Sequence, residues 1–179
     1  ALLMQEACSL SRSTGRYVRL ACATSVALLE LNDPSHFNAL TLEMASDMQM
    51  AVQWLAAQHV GSIECVTVQG AGKHFCPGGN VYRKHAHTAS LAAVARASID
   101  LFDGFCRLRT LPVPVVCAAH GTVLGGGLAV CLVTDYVTCH VGTTFQVGER
   151  SRGLLPAGLL KRTLVEVVGL EKALELYLS

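Results

Sequence analysis

The feature that most constrains this chain is Leu124-Gly125-Gly126-Gly127-Leu128. An apolar strand pattern, Val113 to Ala119, precedes it and a helix-compatible run, Leu128 to Val133, follows, so the glycines stand where a strand gives way to a helix. Glycine at such a turn lets another backbone or a ligand approach closely. The first amides of a helix have no internal partner and sit at the positive end of its dipole, so they can hold a developing negative charge. That is half of an oxyanion hole. The same pattern also describes phosphate loops and purely structural tight turns.

The remaining sequence bounds the class. A chain of 179 residues is long enough for one domain with a full core, or most of a larger one. Hydrophobic residues make up 51% and charged residues 15%, so buried contacts with other subunits or domains are expected. Lys+Arg number 14 against 13 Asp+Glu with no basic block, which argues against nucleic acid or an anionic membrane surface as partner. Apolar runs are broken well short of a membrane span. The 8 cysteines form no CxxC pair, lie mostly in apolar runs and read as small core residues of a reducing, cytoplasmic compartment. No basic region followed by a long apolar stretch marks a signal peptide at the start. The first residue is not Met, which fits a piece of a longer polypeptide and equally fits trimming.

Along the chain, residues 1–16 read as a lead-in or linker, and 17–179 as one domain. Tyr17 to Cys22 and Ser25 to Leu31 predict a hairpin, ended by Asn32-Asp33-Pro34-Ser35. Thr41 caps a helix over 42–58, whose apolar positions are Met44, Met48, Ala51, Val52 and Leu55. The methionines read as core filler. Cys65 to Gln69 is a buried-type strand, and Pro77 with Gly78 and Gly79 forces an irregular loop soon after it. A loop at the end of a strand is where α/β sheets place ligands. Tyr82 to Arg109 reads as helical; Tyr136 to Cys139 and Thr144 to Gln146 read as strands, and Leu159 to Val168 and Glu171 to Leu178 as helices. Glu149 opens a polar turn before Arg150 and Arg152. The alternation predicts an α/β protein with a largely parallel sheet.

In order and spacing, His36-Phe37-Asn38-Ala39-Leu40, Gln69 to Asn80, Pro112 to Gly121, Leu124 to Gly127, and Gly148-Glu149 leading to Gly153 to Gly158 resemble the crotonase (enoyl-CoA hydratase/isomerase) superfamily over about residues 17–178. The resemblance implies a crotonase-like fold of repeated ββα turns. It implies that the amides of Gly79 and Gly126 hold the thioester oxygen of a substrate carried on coenzyme A or on the phosphopantetheine of an acyl-carrier protein. Ala39, Gly78 and Gly125 fall at substrate-binding positions, and no other cofactor or metal is implied. It also implies a homotrimer or hexamer. The family's hydratases use two glutamates; here the first position is Ala129 and the second is Glu149.

Hydration needs groups that position water and move protons on both sides of a double bond, whereas one carboxylate suffices as a proton shuttle. The expectation is therefore isomerisation or decarboxylation, possible in polyketide β-branching, with Glu149 as acid/base. Related decarboxylases use a Tyr and a Lys near the first loop, which points to Tyr82 and Lys84; a packed Tyr with solvent-facing basic neighbours stays open for these two. For Glu149 a solvated turn residue paired with Arg150 or Arg152 stays open. Hydration with one glutamate missing, and a non-catalytic thioester-binding domain, are the alternatives. His120 reads as structural and Cys76-Pro77 as a turn. Family members continue for several helices past the position of Ser179, so the C-terminal helical part reads as short or missing.

Overall fold

The computed structural model describes residues 11–12, 15–58, 61–79, 91–149, 156 and 159–178. The N-terminal hairpin forms as the sequence predicts, from β2 (Val18–Ala23) and β3 (Val26–Leu31), paired antiparallel with Ala23 opposite Val26. Thr24, at φ 53°, makes the two-residue turn. A further edge strand, β1 (Ser11–Arg12), pairs with β2 inside the segment read as lead-in.

From β3 onward the sheet is parallel: β4 (Cys65–Gly70), β5 (Val115–Ala119) and β7 (Tyr136–Cys139) complete the order β1-β2-β3-β4-β5-β7. Alternate residues point to the core, Val66, Val68 and Gly70 on β4 and Val115, Cys117 and Ala119 on β5. Each buried Val or Leu contributes about 1.5 to 3 kcal/mol relative to exposure.

Helix α1 (Leu42–Ala56) starts at Thr41, whose hydroxyl accepts from the Met44 N–H at 3.2 Å. Met44, Met48, Ala51, Val52 and Leu55 recur at helical spacing and are buried, so the methionines are core filler as expected. This face packs with α2 (Leu91–Cys106), which runs into a 3₁₀ turn, Arg107–Thr110. The helix read from Tyr82 is thus described from Leu91 to Cys106. Helix α3 is Gly126–Leu132, and α4 (Leu160–Val168) and α5 (Leu170–Leu178) close the described chain.

Three local readings change. The strand read from Val113 starts at Val115, because Pro112 and Pro114 cannot donate to a ladder. A three-residue strand, β6 (Thr122–Leu124), intervenes before the glycines and pairs in parallel with β8 (Thr144–Gln146). It is too short to show a period in the sequence. Finally, the cysteines divide: Cys76, Cys117 and Cys131 are buried, Cys22, Cys65 and Cys106 half-buried, and Cys139 is exposed. All four residues of β7 are exposed, as are Val141 and Phe145 beyond it and Val167, Leu170, Leu174 and Leu178 on the last helices.

Between β3 and α1 the chain is stapled by one side chain. Asn38, fully buried in a left-handed conformation, donates from Nδ2 to the carbonyls of Ala71 (2.8 Å), His74 (2.9 Å) and Phe75 (3.2 Å). Its Oδ1 accepts from the Asp33 N–H at 2.8 Å. Replacing it leaves buried carbonyls and an amide unsatisfied. Asn38→Ala is expected to lower unfolding stability by about 3 kcal/mol, read as a shift in denaturant midpoint at unchanged slope; a shift within error would mean the staple carries no stability.

Candidate active site

Two loops meet beyond the C-terminal ends of β4 and β6. The first, residues 71–79, is held to β6 by a short parallel ladder: the Cys76 N–H donates to the Thr122 carbonyl (3.3 Å) and the Leu124 N–H to the Cys76 carbonyl (3.1 Å). The second is Gly125 with the start of α3. Helix α3 begins at Gly126, two residues before the apolar run that signalled it, because Gly125 adopts φ 50° and breaks the strand there.

The backbones touch at glycines. Gly78 has φ 89°, and a Cβ placed on it would stand 2.8 Å from the Gly126 nitrogen and 2.8 Å from the Leu124 carbonyl oxygen. No side chain fits there, and the conformation itself disfavours one. A Cβ on Gly126 would stand 3.3 Å from the Gly79 nitrogen, so the two amides lie side by side. Among the described residues neither the Gly79 nor the Gly126 N–H has a hydrogen-bond partner. The neighbouring groups are committed elsewhere: the Gly78 carbonyl accepts from the Leu40 N–H at 2.8 Å, and the Gly78 N–H faces Cys76 Sγ at 3.3 Å. Burial pushes the Cys76 thiol up to about 12, so it stays protonated near neutrality and is no nucleophile. Ala39, buried, precedes Leu40, which bridges to Gly79.

Glu149 reaches the same place from the opposite side of the chain. β8 pairs with β6 in a register that puts Gln146 beside Leu124, and the Gly125 N–H donates to the Gln146 carbonyl at 3.0 Å. The chain therefore passes Gly125, and Glu149 Oε1 stands 2.9 Å from where a Cβ on Gly125 would be. Glu149 is 9% exposed, not a solvated turn residue, and its Oε2 has no hydrogen-bond partner among the described residues. Arg150 and Arg152 lie outside the described residues, as do Tyr82 and Lys84.

Apolar side chains close the rest. Phe102 Cζ would stand 3.0 Å from a Cβ on Gly126, and Leu101 Cδ2 3.8 Å from one on Gly79, so α2 walls the paired amides. Ala129, one turn into α3, is buried in the core and brings no titratable group. Among the described residues no cluster of His, Cys, Asp and Glu could hold a metal ion, and no helix is long and apolar enough to cross a membrane. His120 is structural: its Nε2 lies 3.1 Å from the Gly72 carbonyl oxygen. The sequence reading missed Asn38 as a staple and the wall formed by Leu101 and Phe102. An Asn beside a Pro-Ser turn was the available signal for the first.

Such an arrangement can do one kind of chemistry well. Two unpartnered amides side by side stabilise charge on a single oxygen, and an adjacent carboxyl group can take or give a proton.

Residues 22–179 match the Enoyl-CoA hydratase/isomerase family. The chain is 31% identical over 152 residues to the probable enoyl-CoA hydratase EchA14 of Mycobacterium tuberculosis, covering 85% of this chain and 58% of that protein. Among solved structures it is similar to an enoyl-CoA hydratase/carnithine racemase from Magnetospirillum magneticum (TM-score 0.86, 25% identity, 97% of this chain and 64% of that one). It is also similar to an enoyl-CoA hydratase from Thermobifida fusca in complex with CoA (TM-score 0.79, 25% identity, 91% and 64%). The chain spans between half and two thirds of the length of these relatives.

A buried carboxyl group with an unpartnered oxygen costs folding energy. Glu149→Gln, which keeps the shape without the charge, is therefore expected to raise the thermal midpoint at neutral pH. A lower midpoint would show that the carboxylate is satisfied in the fold.

Proposed function

Because the chain belongs to the enoyl-CoA hydratase/isomerase family, we propose that it takes an acyl thioester, on CoA or on an acyl-carrier protein, and forms an enolate whose oxygen is held by the Gly79 and Gly126 amides. Glu149 is the acid/base. The observation that carries this reading is the pair of amides, unpartnered among the described residues, beside one buried carboxyl group.

Removing a proton next to a thioester carbonyl, or losing CO2 from that carbon, moves an electron pair onto the carbonyl oxygen. Two preorganised donors stabilise that charge more than they stabilise the neutral carbonyl, and one such donor is worth about 3 to 4 kcal/mol. In isomerisation the Glu149 carboxylate takes a proton from one carbon and the acid form returns it to another. In decarboxylation CO2 leaves and the acid form protonates the enolate carbon. Ala39, Gly78 and Gly125 shape the thioester seat through close backbone approach. On this reading Tyr82 and Lys84 orient a substrate carboxylate where one is present.

Isomerisation or decarboxylation is preferred because Ala129 supplies no second acid/base, and a buried alanine cannot orient water. Decarboxylation of a carrier-bound acyl group would place the protein in polyketide β-branching. Hydration is the second reading, favoured by the names of the relatives. The exposed apolar side chains of β7, Tyr136 and Val137, with Val141 after it, support an oligomer, a homotrimer or hexamer on this reading.

Purified protein assayed on 3-enoyl, 2-enoyl and 3-methylglutaconyl thioesters, each on CoA and on carrier protein, is expected to turn over the 3-enoyl or the 3-methylglutaconyl substrate. Glu149→Gln should lower kcat about a thousandfold. Fast hydration of the 2-enoyl thioester would overturn the preference. Tight thioester binding with no turnover would make the domain a non-catalytic binder.

A further inference from the structure

One rung of the ladder between the first loop and β6 is made by a side chain. Phe75 and Cys76 donate to the carbonyls of His120 (2.9 Å) and Thr122 (3.3 Å), and Leu124 donates back to Cys76 (3.1 Å). In a parallel ladder a residue that donates to one carbonyl accepts from the amide two positions on, so with Phe75 bonded to His120 the Thr122 N–H is due at the carbonyl of Phe75. That carbonyl accepts instead from Asn38 Nδ2 at 3.2 Å. The Thr122 N–H donates instead to Nδ1 of the His74 ring at 3.1 Å. Phe37 holds the ring edge-to-face, with centroids 5.3 Å apart at 79°. Asn38 and His74 thus divide one carbonyl's work between them, and three segments are joined: 33–40, 71–79 and 120–126.

We propose that His74 is a positioning residue for the paired amides. Its neutral ring, with the proton on Nε2 and Nδ1 free, completes the ladder that sets Gly79 against Gly126. Only that tautomer can accept from Thr122; a second proton on the ring places two donors face to face. Loss of that acceptor therefore releases the start of β6, three residues before Gly125, and lowers turnover without a direct contact to substrate. The inference rests on the reading that these amides hold the thioester oxygen. The titratable and charged groups on the elements around the ring are Asp33 and His36 on the turn before Phe37, Lys73 beside it in the chain, His120 before Gly121, and Glu149 across the site. The His36 ring is held by Asp33 at 2.9 Å, and His120 lies against the Gly72 carbonyl, so both are engaged elsewhere.

The test uses two variants and two readouts. In His74→Asn, Oδ1 stands near the place of Nδ1 and accepts without titrating; in His74→Leu no acceptor remains. On the substrate that turns over, His74→Leu is expected to lose about tenfold in kcat with KM little changed. His74→Asn is expected to keep its kcat, because its Oδ1 accepts the same bond. Independently of turnover, ¹⁵N spectra of histidine-labelled protein should show the neutral His74 ring protonated on Nε2, with Nδ1 accepting from Thr122. The Thr122 amide should exchange faster in His74→Leu and, in the natural protein, as the ring protonates. A ring protonated on Nδ1, or Thr122 exchange unchanged in both conditions, overturns the proposal even if the enzyme is active. Failure of the reaction alone leaves the spectra to decide it. Should His74→Leu not fold, the tautomer in the natural protein decides it, and a proton on Nδ1 overturns the proposal.

Discussion

The structure depends on one close approach of two backbones. Gly78 and Gly126 meet with no room for a side chain between them, and that contact decides what each surrounding group can do. It forces the Pro77 loop into a left-handed step at Gly78. It also ends β6 at Leu124 and starts α3 within the glycine run. The Cys76 carbonyl and the Thr122 carbonyl are spent on the ladder that brings the loops together, and the Gly78 carbonyl on Leu40. What remains over are two N–H groups from different segments with no partner among the described residues. On the proposed reading, charge stabilisation is a by-product of how the loops must pack, with no charged side chain required.

The fold places its few polar side chains where the backbone cannot satisfy itself. Asn38 and His74 replace rungs at a point where three segments converge and regular pairing fails. Glu149 is the exception, a buried carboxyl group beside Gly125 with one oxygen unpartnered among the described residues. A buried carboxyl group with an oxygen unpartnered among the described residues, beside two amides likewise unpartnered there, is where function is expected to cost stability.

Most of the architecture was legible in the residues because it rests on local rules. The hairpin, the Thr41 cap, the Met44 to Leu55 stripe and the β4 strand each follow from period and turn chemistry. The resemblance supplied the pairing of the two loops and the significance of Ala129. What stayed hidden depends on long-range pairing. β6 and β8 are three residues each and acquire strand character only from one another, and that pairing is what carries Glu149 to Gly125. Thus a glutamate that looked like part of a polar turn is buried. The role proposed for His74 was equally invisible, since it follows from the Asn38 amide having claimed the Phe75 carbonyl. Exposed Cys139 belongs to the same class: its strand is apolar in sequence, yet β7 is an edge.

The central claim is that both amides bind one thioester oxygen. Infrared difference spectra of a bound acyl-CoA labelled with ¹³C at the thioester carbonyl test it without requiring turnover. The account predicts a carbonyl stretch shifted to lower frequency than in water, from two donors polarising one C=O, and a smaller shift when Pro replaces Gly79 and removes its N–H. A bound ligand with the stretch it has in water would contradict it.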